Sequence, residues 1–199
     1  GLAEMDESSS SGIPSSVISD TITLPYNNVD SIESIFLTKG DQIAAVIVEP
    51  IAGNMGVILP EDGFLETLRN VTDKYGALLI FDEVITGFRV DYGGAQKIFN
   101  IKPDLTCLGK VIGGGLPVGA FGGQFDIMKN MAPLGTVYQA GTLSGNPVVM
   151  SAGVATLALL NNSTVYEDLE NLGNYLEKLF RELSNGLNLQ VPRYGSMFS

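Results

Sequence analysis

The sequence has no histidine and only one cysteine, Cys107, among its 199 residues. Without histidine, these residues cannot form a histidine-based catalytic triad or a histidine-ligated metal site. A single cysteine excludes an internal disulfide and a cysteine-rich zinc site, and it fits a reducing compartment. We interpret Cys107 itself as a small, buried hydrophobic residue.

Basic residues and long apolar runs are also scarce. Eleven Lys and Arg stand against 22 Asp and Glu, and the net charge of −11 argues against nucleic acids and anionic membranes as partners. No apolar run approaches the roughly 20 residues that span a bilayer. The composition, 45% hydrophobic with 24 glycines, is instead that of a globular protein with one sizeable core.

The most informative stretch runs from Leu78 to Gly123. Two short apolar runs in it end in charged residues, first Asp82 with Glu83 and later Lys110. Short apolar runs bounded by turn residues are typical of strands buried on both faces of a parallel sheet. Ligands bind beyond the carboxyl ends of such strands. The sequence therefore predicts an α/β fold with a site where these two strands end.

Taken singly, Asp82 and Lys110 are more often a strand-end carboxylate and a surface lysine than catalytic groups. Together they match a pyridoxal phosphate enzyme, in which a carboxylate keeps the pyridine nitrogen protonated and a lysine forms the Schiff base. A nucleoside triphosphatase is the rival, because Leu78–Glu83 would pass as a Walker B strand. That interpretation fails because Val111, and not Ser or Thr, follows Lys110.

The stretch around the lysine resembles the cofactor-lysine signature of the class III aminotransferases, which are fold type I pyridoxal 5'-phosphate enzymes. Three phrases occur in the family's order and spacing: Asp82-Glu-Val84, Leu108-Gly-Lys110 with its glycine-rich continuation, and Gln139 to Pro147. The resemblance runs from about Ile43 to the C-terminus, and it is weaker before that. It implies a fold type I large domain with a mostly parallel central sheet flanked by helices, incomplete at both ends.

The resemblance assigns roles to individual residues. Lys110 would bind the cofactor covalently and act as general base and acid, Asp82 would hold the ring nitrogen, and Val84 would pack on the ring. Asn54 would lie near the ring's phenolic oxygen, although by itself it reads as a turn residue. Gly141 and Thr142 would bind the cofactor phosphate of the neighbouring subunit, which implies a homodimer with shared active sites.

The resemblance also divides the chain. Residues 1–20 are expected to form part of a mobile, Ser-rich active-site lid, although their composition alone fits a plain linker. Residues 21–160 are expected to form the cofactor-binding large domain. Residues 161–199 would form a long helix leading toward a C-terminal small domain outside this chain. The chain by itself is therefore expected to be inactive.

Within the family the chain is most similar to the aminomutases, which move an amino group within one substrate. Three features favour them over ω-aminotransferases: the Gly53–Gly56 loop, Tyr138-Gln-Ala before Gly141, and the Ser-rich segment. The implied reaction converts (S)-4-amino-5-oxopentanoate to 5-aminolevulinate for tetrapyrrole synthesis, with pyridoxal and pyridoxamine 5'-phosphate forms. An ω-aminotransferase and an inactive aminotransferase-like domain remain the alternatives.

Two further expectations come from the family alone. One is a contact with glutamyl-tRNA reductase. The other is a location in the cytoplasm of a bacterium or in the plastid stroma of a photosynthetic eukaryote.

Apolar periodicity predicts the remaining elements. Helices are predicted over Asp30–Lys39, Asp62–Tyr75, Asp126–Met131, Val148–Leu160 and Val165–Leu183. Strands are predicted over Thr21–Leu24, Ala44–Val48, Ala77–Phe81, Leu105–Leu108 and Val118–Phe121. Asp62 is expected to cap its helix and Gly76 to end it. The leucines of the last helix are expected to face the core or a subunit contact.

Overall fold

We describe the fold from a computed structural model, which covers residues 11–184, 187 and 190–199. The first ten residues of the predicted lid lie outside these residues. Within residues 11–20 the one helix is α1 (Ser15–Ile18), which has no buried residue. The assignment of residues 1–20 to a lid, and the division at residue 160, therefore stay predictions.

Four strands form the central sheet, in the order β1 (Ala45–Val48), β2 (Leu78–Glu83), β3 (Leu105–Gly109) and β4 (Gly119–Gly123). β1 is parallel to β2 and β2 to β3, whereas β4 is antiparallel to β3. The chain passes from β1 to β2 through α3 (Phe64–Tyr75) and from β2 to β3 through α4 (Gly94–Ile98). The prediction of a mostly parallel sheet flanked by helices is confirmed.

One face of the sheet holds the core, against α2 (Val29–Lys39) and α3. Leu79 and Phe81 of β2 are fully buried there, because alternate residues of a strand point to the same face. Burying each such side chain stabilises the fold by about 1.5–3 kcal/mol. The helices contribute Ile32 and Phe36 from α2, and Leu65 and Leu68 from α3.

The opposite face of the sheet is left largely uncovered by the residues that the structure describes. Ile47 of β1 is 63% exposed and Phe121 of β4 is 45% exposed. The prediction that β1 is a buried strand is therefore wrong for one of its faces, because α2 and α3 both pack on the other. Asp82 alternates with Phe81 and so lies toward this open face.

Two local predictions are wrong for identifiable reasons. Residues Thr21–Leu24 form no strand, and Leu24 packs against the core without pairing to the sheet. Asp62 does not cap α3, because the chain enters that helix through Gly63 in the left-handed region, at φ 84°. As predicted, Gly76 ends α3; it has φ 73°, and its N–H donates to the Thr72 carbonyl.

The second half of the described chain is mainly helical. It contains α5 (Phe125–Met128), α6 (Pro147–Leu160), α7 (Ser163–Leu183) and a hairpin of β5 (Arg193–Tyr194) with β6 (Met197–Phe198). Arg193 joins the hairpin to α7 by ion pairs of 2.8 Å to both Glu170 and Glu177. The leucine stripe of α7 is less covered than expected for a core face.

The exposed fractions in α7 are 54% at Leu172 and 80% at Leu183. The leucines of this helix were predicted to face either the core or a subunit contact. Among the described residues, Leu172 and Leu183 do not face a core, so that alternative is wrong for them. Among the described residues, no single helix is long and apolar enough to cross a membrane. Only α6 and α7 taken together, bent by 79°, pass such a test of length and composition.

Candidate active site

Asp82 lies at the carboxyl end of β2, where the strand register pairs it with Cys107 of β3. Its side chain is half-buried, and its Oδ1 accepts the backbone N–H of Val84 at 3.1 Å. The other carboxylate oxygen, Oδ2, has no hydrogen-bond partner within the described part of the chain. Asp82 is thus held by its own strand end while one acceptor oxygen stays free for a ligand.

Cys107 lies next to Asp82, on the neighbouring strand β3. Burial, reinforced by the negative charge of Asp82, raises the pKa of the Cys107 thiol above its ordinary value. The thiol therefore stays protonated and neutral near pH 7 beside the carboxylate. This fits the interpretation of Cys107 as a small hydrophobic residue, although it is half-buried and not fully covered.

Lys110 follows the end of β3 directly and begins a 3₁₀ turn, Lys110–Gly113. It is exposed, and no ion pair in the described ranges involves it. It stands three positions after Cys107, the register partner of Asp82, and three positions of extended chain span about 10 Å along the strand direction. The fold therefore brings Asp82 and Lys110 to the same edge of the sheet, at the carboxyl ends of neighbouring parallel strands.

Val84 follows Asp82 by two residues and lies next to the backbone that leads into Lys110. A Cβ placed on Gly109 would lie 3.2 Å from Val84 Cγ1, so the valine side chain packs on the backbone that precedes Lys110. Asp82, Val84 and Lys110 thus form one contiguous group at the carboxyl edge of β2 and β3.

Asn54 lies in the loop that follows β1, the strand next to β2. The loop's 3₁₀ turn, Gly53–Met55, is tied back by the Glu49 carboxylate, which accepts the N–H groups of Gly53 at 3.0 Å and Asn54 at 3.4 Å. Tyr26 donates its hydroxyl to the carbonyls of Glu49 and Pro50, both at 3.1 Å. The loop is firmly attached to the same sheet edge as Asp82, and the Asn54 side chain is exposed.

The Tyr26 hydroxyl can act as a stable donor in these two hydrogen bonds to the loop. Burial, reinforced by the charge of Glu49, raises the pKa of Tyr26 above its ordinary value. The hydroxyl therefore remains a donor at physiological pH. The sequence predicted no role for Glu49 and only a place in a turn for Tyr26, because all the partners of their side chains are backbone groups, and those of Tyr26 are more than twenty residues away.

Gly141 and Thr142 form an exposed turn just before α6. The turn is closed by the N–H of Ser144, which donates to the Gly141 carbonyl at 3.0 Å. Asn146 then caps α6 by accepting the N–H of Val148 at 3.0 Å. Among the described residues no hydrogen bond joins this turn to Asp82 or Lys110.

Glu83 has a part in the site that the sequence did not reveal. It is fully buried on the core side, and it accepts hydrogen bonds from Thr86 Oγ1 at 2.9 Å and Ala95 N at 2.6 Å. Its other oxygen accepts both the N–H and the side-chain amide of Gln96, each at 3.0 Å. Glu83 fastens the turn after Asp82 and Val84 to the start of α4. The only sequence signal was its alternation with Phe81, which places it on the core face.

Replacing Glu83 with glutamine is expected to lower the free energy of unfolding by about 1–3 kcal/mol, because one amide N–H would be buried against other N–H donors. Chemical denaturation of the purified protein measures this. Glu66→Gln, on the exposed side of α3, is the matched control and should change stability by less than about 0.5 kcal/mol. Equal effects of the two changes would contradict the buried network.

Comparison with known proteins identifies the family to which this chain, with its strand-end carboxylate and the lysine after the next strand, belongs. The family model Aminotransferase class-III matches residues 4–199, and the chain belongs to this family. Among solved structures, an omega-transaminase from Sphaerobacter thermophilus has a TM-score of 0.87 at 38% identity, over 94% of this chain and 43% of that one. A structure described as a transaminase with PLP bound has a TM-score of 0.88 at 31% identity, over 94% and 45%.

Curated relatives are more similar in sequence. The chain is 53% identical over 199 residues to glutamate-1-semialdehyde 2,1-aminomutase of Natranaerobius thermophilus, covering 99% of this chain and 46% of the relative. It is 58% identical over 191 residues to the enzyme of the same name from Syntrophobacter fumaroxidans, covering 96% and 44%. The chain thus spans a little under half the length of these relatives.

Proposed function

We propose that this chain is the cofactor-binding part of a pyridoxal 5'-phosphate-dependent glutamate-1-semialdehyde 2,1-aminomutase. The reaction converts (S)-4-amino-5-oxopentanoate to 5-aminolevulinate by moving an amino group between adjacent carbons. The observation that carries the proposal is the placement of Asp82 and Lys110 at the carboxyl edge of neighbouring parallel strands. Identities of 53–58% to aminomutases over nearly the whole chain support this choice of reaction.

The residues at this edge fit pyridoxal phosphate. Asp82 offers a free, half-buried carboxylate oxygen to a protonated ring nitrogen, and Lys110 offers an amine with no ion pair among the described residues. Val84 supplies an apolar surface between them. When bound, the cofactor supplies an electron-accepting ring, in its pyridoxal and pyridoxamine forms.

The chain's own residues then have defined tasks. Asp82 keeps the proton on the ring nitrogen through a charge-assisted hydrogen bond. Lys110 holds the cofactor covalently, and as a free amine it takes a proton from one substrate carbon and returns it to the next. Val84 would pack on one face of the ring. Asn54, on its tied loop, approaches the ring's phenolic oxygen.

Replacing Asp82 with asparagine is expected to leave the cofactor bound but to lower kcat by at least roughly 10- to 100-fold, because a hydrogen bond to a charged group is lost. Steady-state turnover and cofactor content of the full-length enzyme measure the two effects. Asp73→Asn, an exposed change on α3, should affect neither. Turnover close to normal in Asp82→Asn would contradict the role.

We also propose that the working enzyme is a homodimer with shared sites. Helix α6 carries no charged residue, and Val148, Val154 and Leu159 are 68–73% exposed in the single chain. A helix that is apolar all round is normally buried in the assembled protein. An interface along α6 would carry the Gly141–Thr142 turn to the partner's site, where amides and a hydroxyl bind the cofactor phosphate.

An ω-aminotransferase is the second candidate, favoured by the 38% identity to the omega-transaminase from Sphaerobacter thermophilus. The two reactions differ in their need for a second substrate. The full-length enzyme, loaded with cofactor, should form 5-aminolevulinate from 4-amino-5-oxopentanoate alone. An absolute requirement for an added amino donor or keto acid would overturn the aminomutase proposal.

Compartment and macromolecular partner follow from the proposed reaction. The bacterial sources of the relatives favour a cytoplasmic location, and a plastid location remains the other expectation. A contact with glutamyl-tRNA reductase also remains a proposal, because a reactive aldehyde substrate is best passed directly between enzymes.

A further inference from the structure

The backbone that carries Lys110 is in an unusual conformation. Lys110 has φ 46°, in the left-handed region that side-chain-bearing residues rarely adopt. Gly114 and Gly115 follow with φ 58° and 93°. A conformation of this kind persists only where the surrounding structure holds it. The contacts of the Lys110–Gly113 turn therefore decide where the lysine amine is held.

The contacts on this turn come from α6, at points where the two backbones nearly touch. A Cβ added to Gly153 would lie only 2.5 Å from the Ile112 carbonyl oxygen. A Cβ added to Gly114 would collide with Thr156 Oγ1 and lie 3.0 Å from the Ala152 carbonyl oxygen. Two glycines, one on each element, thus allow helix and turn to pack at a distance that alanine would forbid.

Gly153 is also the one residue of α6 that is buried in this chain. The turn is closed by its own hydrogen bond, from the N–H of Gly114 to the Val111 carbonyl at 3.0 Å. No hydrogen bond joins it to α6 in the described segments, so the helix restrains it by close packing alone.

We propose that Gly153 is a positioning residue for Lys110. Its missing side chain lets α6 lie against the Ile112 carbonyl, and this contact keeps Lys110 in the left-handed conformation from which its amine serves the site. The inference rests on the proposed pyridoxal phosphate chemistry of Lys110. Gly153 lies outside the group formed by Asp82, Val84 and Lys110, and it affects the site only through the Lys110–Gly113 turn.

Gly153→Ala in the full-length enzyme tests this proposal, because the change should be harmless or stabilising if Gly153 has no special role and should lower kcat if Gly153 positions the turn. Alanine favours a helix interior over glycine, so a glycine of no special role should tolerate it or gain stability. If Gly153 positions the turn, kcat should fall at least tenfold, the visible absorption of the covalently bound cofactor should shift, and KM should stay within twofold. Ser151→Ala, on the exposed side of α6, is the matched control and should leave all three unchanged.

A second measurement separates positioning from general damage. In the Lys110→Ala background, methylamine added to the solution should partly replace the lysine amine. Because a free amine is not held by the turn, adding Gly153→Ala there should change the methylamine-supported rate by less than twofold. An equal loss in both backgrounds would overturn the proposal.

Thr156→Ala gives the same test if Gly153→Ala does not fold. It removes the side chain that faces Gly114, and it should reduce kcat several-fold and slow borohydride trapping of the cofactor on Lys110, without affecting the methylamine-supported rate. Wild-type values in these assays would overturn the proposal. An unmodified enzyme that binds no pyridoxal phosphate would instead refute the proposed function, so the two failures are distinguishable.

Discussion

Lys110→Ala is expected to lose covalent attachment of the cofactor and to lose turnover by at least about 1,000-fold, because one amine serves as both the anchor and the general base. Borohydride reduction of the full-length enzyme, followed by peptide mapping, should place the label on the peptide that contains Lys110. The same treatment of the variant should give no label.

The matched control for this change is Lys102→Ala. Lys102 is an exposed lysine just before β3, and its backbone carbonyl accepts a hydrogen bond from Arg69 that the change leaves intact. We expect normal labelling and turnover in this variant. A label on a lysine other than Lys110 in the unmodified enzyme would contradict the assignment, whatever the activity of Lys110→Ala.

The geometry explains why Lys110 is suited to this task. Its amine is exposed, and no carboxylate among the described residues pairs with it, so it need not break an ion pair before it reacts. Its position past the end of β3 places it at the same sheet edge as Asp82, whose Oδ2 accepts no hydrogen bond among the described residues. Covalent attachment at one end and a charge-assisted hydrogen bond at the other would hold a ring in one orientation.

The sequence was sufficient to predict this pair because both residues follow local rules. Short apolar runs predicted the strands, and parallel strands end at one edge of a sheet, so Asp82 and Lys110 had to lie near each other. The direction of Glu83, away from the site, follows from the same alternation of side chains.

Features that depend on distant partners could not be predicted in this way. Apart from Thr86, the hydrogen-bond donors to Glu83 lie 12 and 13 residues further along the chain, and two of them are backbone N–H groups, which leave no sequence signature. The left-handed backbone of Lys110 belongs to a turn that packs, through the Ile112 carbonyl, on Gly153, a residue more than forty positions away from the lysine. Asp62 failed as a cap because the backbone of its neighbour Gly63, and not its own side-chain chemistry, sets where α3 begins.

The second prediction with a large expected effect on activity concerns the Gly141–Thr142 turn and the site that two subunits would share. A cofactor phosphate is dianionic and requires several donors to replace its water. The Gly141–Thr142 turn offers such donors but is exposed and has no hydrogen bond to Lys110 in the described part of the chain. If the turn serves the partner's site, binding of the cofactor and formation of the dimer must stabilise each other.

Mixing two defective variants tests this arrangement directly. In a heterodimer of Lys110→Ala with Thr142→Ala, one shared site would carry both lesions and the other would carry neither. Random exchange of equal amounts makes about half of the dimers heterodimers, so roughly a quarter of all sites should be intact, since a closed dimer has two equivalent sites. Activity is measured after dissociation and remixing, at a cofactor concentration too low to saturate the Thr142→Ala homodimer.

A second pair, Lys110→Ala with Asp82→Asn, supplies the control. Both residues lie at one sheet edge of the same subunit, so every site of this heterodimer would keep one lesion and no activity should return. Differently tagged subunits verify that heterodimers form in both mixtures. Recovery in the first mixture but not in the second would be the signature of a phosphate turn contributed by the partner. Failure to recover in the first mixture, with heterodimers present, would place Thr142 in its own subunit's site or outside the site altogether.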